Sequence, residues 1–136
     1  VFFAPVDGAP ARSVYIREGR AITVAAHAQG TLLMRVDKGD EPVDEWFRID
    51  DRTGQFLGLG FSDSALQLSG DGSTMYEIKS CTTNLDAVGW GVVKQAPGGG
   101  QWAMECAPGD KPRLLTIPRS NKVAFIDGDR LTIVAP

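Results

Sequence analysis

The stretch Val88–Pro108 reads V-G-W-G-V-V-K-Q-A-P-G-G-G-Q-W-A-M-E-C-A-P. Two apolar segments, Val88–Lys94 and Gln101–Cys106, flank a Pro-Gly-Gly-Gly turn. Proline stops a strand and glycine supplies the backbone freedom for a reversal, so the stretch predicts a β-hairpin. It also holds two of the three tryptophans and one of the two cysteines.

The rest of the chain follows the same plan. Ser13–Arg17 and Arg20–Ala26 alternate apolar and polar residues around Glu18-Gly19. Thr31–Val36 follows Gly30, and Asp37–Asp44 forms an acidic turn broken by Gly39 and Pro42. Glu45–Asp50 and Gln55–Gly60 flank Asp51-Arg52-Thr53-Gly54, while Ala65–Ser69 and Thr74–Ser80 flank Gly70-Asp71-Gly72. Arg113–Ile117, Lys122–Ile126 and Arg130–Ala135 complete the series, the last two joined by Asp127-Gly128-Asp129. About twelve short antiparallel strands with a turn signal roughly every 8–12 residues predict one all-β domain over 1–136. The expected form is a closed barrel or β-trefoil-like fold, with a β-sandwich as the alternative. Eight prolines and 16 glycines leave no room for a helix; the best candidate, Asp63–Leu68, is too short. Tyr15–Ala25 and Phe125–Ala135 echo each other without gaps, and a weaker copy begins at Ile49. Three copies would suit a trefoil, although hairpins within one β protein also resemble each other.

A net charge of -3 argues against a nucleic-acid partner, which needs a basic face to neutralise phosphates. No run approaches the ~20 apolar residues of a membrane span. The chain opens V-F-F-A-P, which reads as a mature chain after removal of a leader. With Cys81 and Cys106 as the only cysteines, one disulfide and secretion into an oxidising compartment are expected. The loop so closed is worth roughly 3 kcal/mol. There is no C-x-x-C for a redox or zinc site, and no Asn-x-Ser/Thr for N-glycosylation.

No catalytic group is expected. His27 is the single histidine, and no G-x-S-x-G accompanies it. Asp37, Asp40, Glu41, Asp44, Glu45, Asp50 and Asp51 cluster, but Lys38, Arg48 and Arg52 lie among them, as in a solvated, ion-paired surface. Their spacing lacks a calcium-loop pattern, and an acid–base pair for glycoside hydrolysis needs a fixed separation that spacing cannot supply. Neither a metal nor a cofactor is expected. Aromatic rings are the better clue. Gln101-Trp102 and Glu45-Trp46 each set a polar side chain beside a flat ring, and Tyr76 adds another. The candidate ligand-binding residues are therefore Trp102, Gln101, Trp46, Glu45 and Tyr76. Tryptophans in small β proteins are mostly core, and Trp90, between Gly89 and Gly91, is expected there. On strict alternation Trp102, Met104 and Cys106 share one face, and a buried cystine would draw Trp102 inward.

The ordered segments D-D-R-T-G-Q-F-L (Asp50–Leu57), L-Q-L-S-G (Leu66–Gly70), V-G-W-G-V-V (Val88–Val93), G-Q-W-A-M-E-C (Gly100–Cys106) and R-L-L (Arg113–Leu115) carry a resemblance. Together they resemble the C-terminal domain of fungal cell-wall mannoproteins of the internal-repeat type, and other small secreted fungal cell-wall and allergen proteins. Cys106 falls where that family has a cysteine; Cys81 lies outside its pattern. The resemblance implies a secreted, non-catalytic protein of a fungal surface. The expected function is thus lectin-like binding of a polysaccharide or glycan in the cell wall or extracellular space, with no nucleic-acid or membrane partner. The alternative is a secreted protein-binding module, such as a protease inhibitor or effector, that presents Asp37–Asp44 or Ala107–Pro112. The residues do not fix the oligomeric state.

Overall fold

The computed structural model describes residues 2–3, 12–13, 21–62, 64–96 and 99–136. Every regular element among them is a strand, and every pairing is antiparallel. A short pair, β1 (Phe2–Phe3) with β2 (Arg12–Ser13), precedes three meanders. The first contains β3 (Ile22–Ala28), β4 (Thr31–Val36), β5 (Asp44–Asp50) and β6 (Phe56–Ser62). The second contains β7 (Gln67–Leu68), β8 (Met75–Thr82), β9 (Val88–Ala96) and β10 (Gly99–Pro108). The third contains β11 (Arg113–Thr116), β12 (Val123–Asp127) and β13 (Arg130–Val134). Within each meander, spatial order equals chain order. The all-β expectation is met. The hydrogen-bonded sheets are open, and no pairing among the described residues closes one into a barrel.

Local chemistry explains where the chain reverses. After β5, the Asp50 carboxylate accepts bonds from the Thr53 N–H at 2.7 Å, the Thr53 hydroxyl at 2.8 Å and the Arg52 N–H at 3.0 Å. The turn is thereby tied at its first residue, and these bonds, that from the Thr53 N–H foremost, hold the Asp50 carboxyl below its usual range. Asp71 does the same work after β7, accepting from the Ser69 hydroxyl at 2.7 Å and the Ser73 N–H at 3.0 Å. Burial pushes its carboxyl up, but the bonds from Ser73 and Ser69 outweigh this and hold it low. Because Ser69 is drawn into this turn, the strand expected over 65–69 shrinks to Gln67–Leu68.

The 69–73 turn also locks the meanders together. Gly72 has φ +75°, and a Cβ there would lie 2.5 Å from the Ala28 carbonyl oxygen of the first meander. On the other side the Asp71 N–H donates to the Ser120 carbonyl of the third at 3.1 Å. Side-chain alternation then sorts the faces. Leu33, Trp46, Leu66, Leu68 and Met75 pack between the first and second meanders. Tyr76, Val92, Val123, Phe125 and Val134 pack between the second and third. Leu32, Met34, Val36, Phe47 and Ile49 form a further cluster with Ile22 on the opposite face of the first.

Two sequence expectations need placing. The hairpin around Glu18-Gly19, and with it most of the Tyr15–Ala25 echo, lies outside the described residues. The other copies are the β5–β6 turn and the β12–β13 hairpin. Each of these is the last hairpin of its meander.

Candidate ligand-binding groove

The strand β10 carries two register shifts against β9, one between Trp102 and Met104 and one between Met104 and Ala107. Each shift reverses which face the following side chains take. Trp102 therefore stays on one face and is 53% exposed. Met104 turns to the other and packs, with Trp90 and Ala103, on the cluster beneath the third meander. Cys106 returns to reach Cys81, giving the expected disulfide with Cα atoms 5.9 Å apart. The bulges resolve the conflict that strict alternation posed.

The glycines of V-G-W-G now have a physical role. A Cβ on Gly89 would lie 2.8 Å from Cys106 Sγ, so the cystine crosses β9 where no side chain stands. A Cβ on Gly91 would lie 2.6 Å from Trp102 Cζ3, so the indole lies against bare backbone. Only glycine permits either approach.

On the same face of β8–β10 a groove of about 720 Å³ opens opposite β6. Its walls include Phe56, Leu57, Leu59 and Met75, with Arg48, Glu77, Lys79 and Gln95 as its polar groups. Paired residues of a ladder share a face. Glu77 pairs with Val93, and Val93 with Trp102, so all three form one cross-strand row. Trp102 stands two strands from Glu77, roughly 10 Å at the usual strand spacing. The next row, Lys79 with Gly91, lies under the indole. Gln95 and Gly100, also paired, line the groove on the other side. Trp102 thus shares the sheet face that the groove opens on, with its ring leaning towards Gly91.

Electrostatics set the groove's base. Glu77 is 1% exposed; one carboxylate oxygen accepts from the Ser62 hydroxyl of β6 and the other faces Lys79 Nζ at 3.3 Å. A buried carboxylate needs both a counter-charge and a donor, and here it has each. Arg48 Nη1 donates to the Gly72 carbonyl at 3.1 Å and to the Ser73 carbonyl. Burial lowers the Arg48 pKa, with the charge of Asp71 acting the other way. Two buried donors on this β5 face, Arg48 Nε and Trp46 Nε1, meet no acceptor among the described residues.

The residues expected at a site are scattered. Trp102 lies on the same sheet face as the groove, but Gln101 pairs with Lys94 and so takes the opposite face. Trp46 is 4% exposed in the cluster between the first two meanders, with Arg35 Cζ 5.8 Å above its ring. Glu45, its neighbour in β5, points to the other side of that sheet and pairs with Phe61. Tyr76 is fully buried, and its hydroxyl donates to the Asn121 carbonyl at 2.6 Å. The acidic cluster is largely engaged: Arg35 Nη2 meets Asp44 at 2.5 Å, Lys38 meets Glu41 at 3.0 Å, and His27 meets Asp51 at 2.7 Å. Sequence reasoning missed Arg48, Phe56, Glu77, Lys79 and Gln95. The one signal available was Glu77 itself, a lone carboxylate in the strand M-Y-E-I.

Among the described residues no three His, Cys, Asp or Glu side chains group to hold a metal ion, and no helix is long and apolar enough to cross a membrane. No family model, curated protein or solved structure matches this chain.

Proposed function

We propose that this is a secreted, non-catalytic carbohydrate-binding protein of a cell-wall or extracellular surface, holding a glycan along the groove with one sugar ring stacked on Trp102. The observation that carries the reading is the row Glu77–Val93–Trp102, which puts an exposed indole on the same sheet face as a groove with buried charge at its base. A pyranose has an apolar face and a rim of hydroxyls. Trp102 suits the first; Gln95, Lys79 and Arg48 suit the second. The resemblance to fungal cell-wall mannoprotein domains supports the secreted, non-catalytic part of the reading. Titration with mannan, β-glucan and chitin oligomers tests it: saturable binding is expected to at least one, weakened at least tenfold by Trp102→Ala. A flat response to all three would sink the reading.

The architectural proposal beside it concerns closure. The three meanders begin at Ile22, Gln67 and Arg113, about 45 residues apart. We read them as units set around a shared axis through the 69–73 turn, trefoil-like in threefold layout but stacked face to face as in a sandwich. Amide exchange tests this, since a stack leaves the outer edges of β6 and β10 unprotected while a closed barrel protects them.

One observation favours the protein-binding alternative. Leu85, at the tip of the β8–β9 hairpin, is 87% exposed. The tip is held by the Thr83 N–H bond to the Ala87 carbonyl at 2.8 Å and sits just beyond Cys81 and its disulfide. Inhibition within a protease panel, lost in Leu85→Asp and accompanied by no glycan binding, would favour that reading instead.

A further inference from the structure

The charge that a ligand meets in the groove differs from the charge of the chain. The chain is acidic, with 17 Asp and Glu against 14 Lys and Arg. Among the described residues three charged side chains line the groove, Arg48, Glu77 and Lys79, and two of them are cations. The one carboxylate is out of a ligand's reach. Glu77 is 1% exposed, with one oxygen on the Ser62 hydroxyl and the other towards Lys79. The Lys79 side chain, by contrast, is 53% exposed. An ammonium has three donors, and the single carboxylate oxygen 3.3 Å away leaves it free to meet a further acceptor.

Arg48 adds to the same field. Nη1 donates to the carbonyls of Gly72, at 3.1 Å, and Ser73, and Nη2 to that of Leu57 at 3.4 Å, all of them neutral acceptors. No carboxylate among the described residues pairs with it. Asp71 acts on it through charge, but the Asp71 oxygens are taken up by Ser69 and Ser73. A neutral sugar is held by acceptors as much as by donors, since each hydroxyl offers both. Here no lining carboxylate is open to accept, and the reachable charge is positive. That suits a ligand which supplies the negative charge itself. Lys79 also ties the groove to the indole: it faces Gly91 across the β8–β9 ladder, and the Trp102 ring leans on Gly91. The lysine stem thus starts one strand spacing, about 5 Å, from the backbone under that ring.

We infer that the ligand is a glycan carrying an acid group on the sugar, a carboxylate as in a uronic acid or a phosphate ester, held by the Lys79 ammonium with the Arg48 charge behind it. An ammonium is a point charge on a flexible stem and serves either acid. The inference rests on the glycan reading and names the class of glycan.

Calorimetric titration of the full chain tests it, each acid probe being compared with its neutral counterpart. The pairs are an oligogalacturonate with its carboxyl-reduced form, and a phosphorylated mannan with the same mannan after dephosphorylation. At least one acid form is expected to bind at least tenfold tighter than its counterpart. Salt at about 0.5 M should remove most of that advantage, because screening then acts within about 4 Å. Lys79→Gln alone would strand the Glu77 charge, so it is combined with Glu77→Gln. This double variant is expected to lose the advantage, and Lys79→Arg to keep it. Equal affinity of the wild type for acid and neutral forms would overturn the inference and leave the glycan reading standing. An acid advantage that survives in the double variant would overturn it as well. Silence from all four probes does the same, and takes the glycan reading with it only if β-glucan and chitin oligomers are silent too.

Discussion

The two faces of the second meander are built from the same three strands and do opposite things. Towards the third meander it presents Tyr76, Val92, Trp90 and Met104, and the contact is packed around these side chains, with only a smaller cleft of about 310 Å³ beside Ile78. Its buried hydroxyl is satisfied by Asn121, and Gln67 bonds to Thr116 across the join. Towards the first it presents Glu77, Lys79, Gly91, Gln95 and Trp102, and the contact gapes into the groove. One residue of phase separates the two sets along each strand. The more tightly packed contact holds the fold; the more open one keeps charge, bare backbone and an exposed indole that stability alone does not call for.

If that division is right, the largest stability losses come from the closed side. Phe125→Ala should cost about 3–5 kcal/mol, read as a lower urea midpoint, because a buried ring leaves a cavity. Reduction of Cys81–Cys106, or its replacement by two serines, should cost about 3 kcal/mol, since it frees the loop it closes. Tyr76→Phe should cost about 1 kcal/mol through the Asn121 bond. It should also alter the alkaline limb. Burial, with Asp71 nearby, pushes the Tyr76 hydroxyl up to about 12, while an unfolded tyrosine ionises near 10. Its contribution is therefore complete below about pH 10 and lost towards 12; in Tyr76→Phe that fall should flatten.

Smaller effects belong to the turns and the open side. The Asp71 carboxyl lies below its usual range when folded. Its contribution is present above the ordinary carboxylate value of about 4 and is lost as pH falls through the lowered one. Asp71→Asn should shallow the acid limb of a stability–pH profile and leave the neutral region less affected. Trp102→Ala should change stability least, within about 0.5 kcal/mol, as for an ordinary exposed position. A larger loss in a thermal melt would mean that the indole works as packing rather than as a platform.

Much of this was legible in the residues. Strand positions followed from alternation and from turns at Asp50–Gly54, Gly70–Gly72 and Asp127–Asp129, because those signals are local. The disulfide followed from a count of two. The face of Trp102 did not follow, since one extra residue in a strand inverts every side chain beyond it and nothing in Q-W-A-M-E-C announces two bulges. Nor did the groove. Arg48, Glu77 and Gln95 come from three strands, and only the stacking of two meanders brings them together. Trp46 and Trp102 each have a polar neighbour in sequence, yet one is core and the other open; adjacency says nothing about which face a sheet buries.

The most direct test of the glycan reading uses a chain with a single tryptophan. Trp46→Phe with Trp90→Phe leaves Trp102 as the only indole, and its emission is followed during titration with mannan, β-glucan or chitin oligomers. A saturable shift in that emission, absent when Trp102 is the residue replaced and the other two are kept, is the expected result. Binding seen by calorimetry while the Trp102 emission stays unchanged would place the ligand elsewhere and contradict the account.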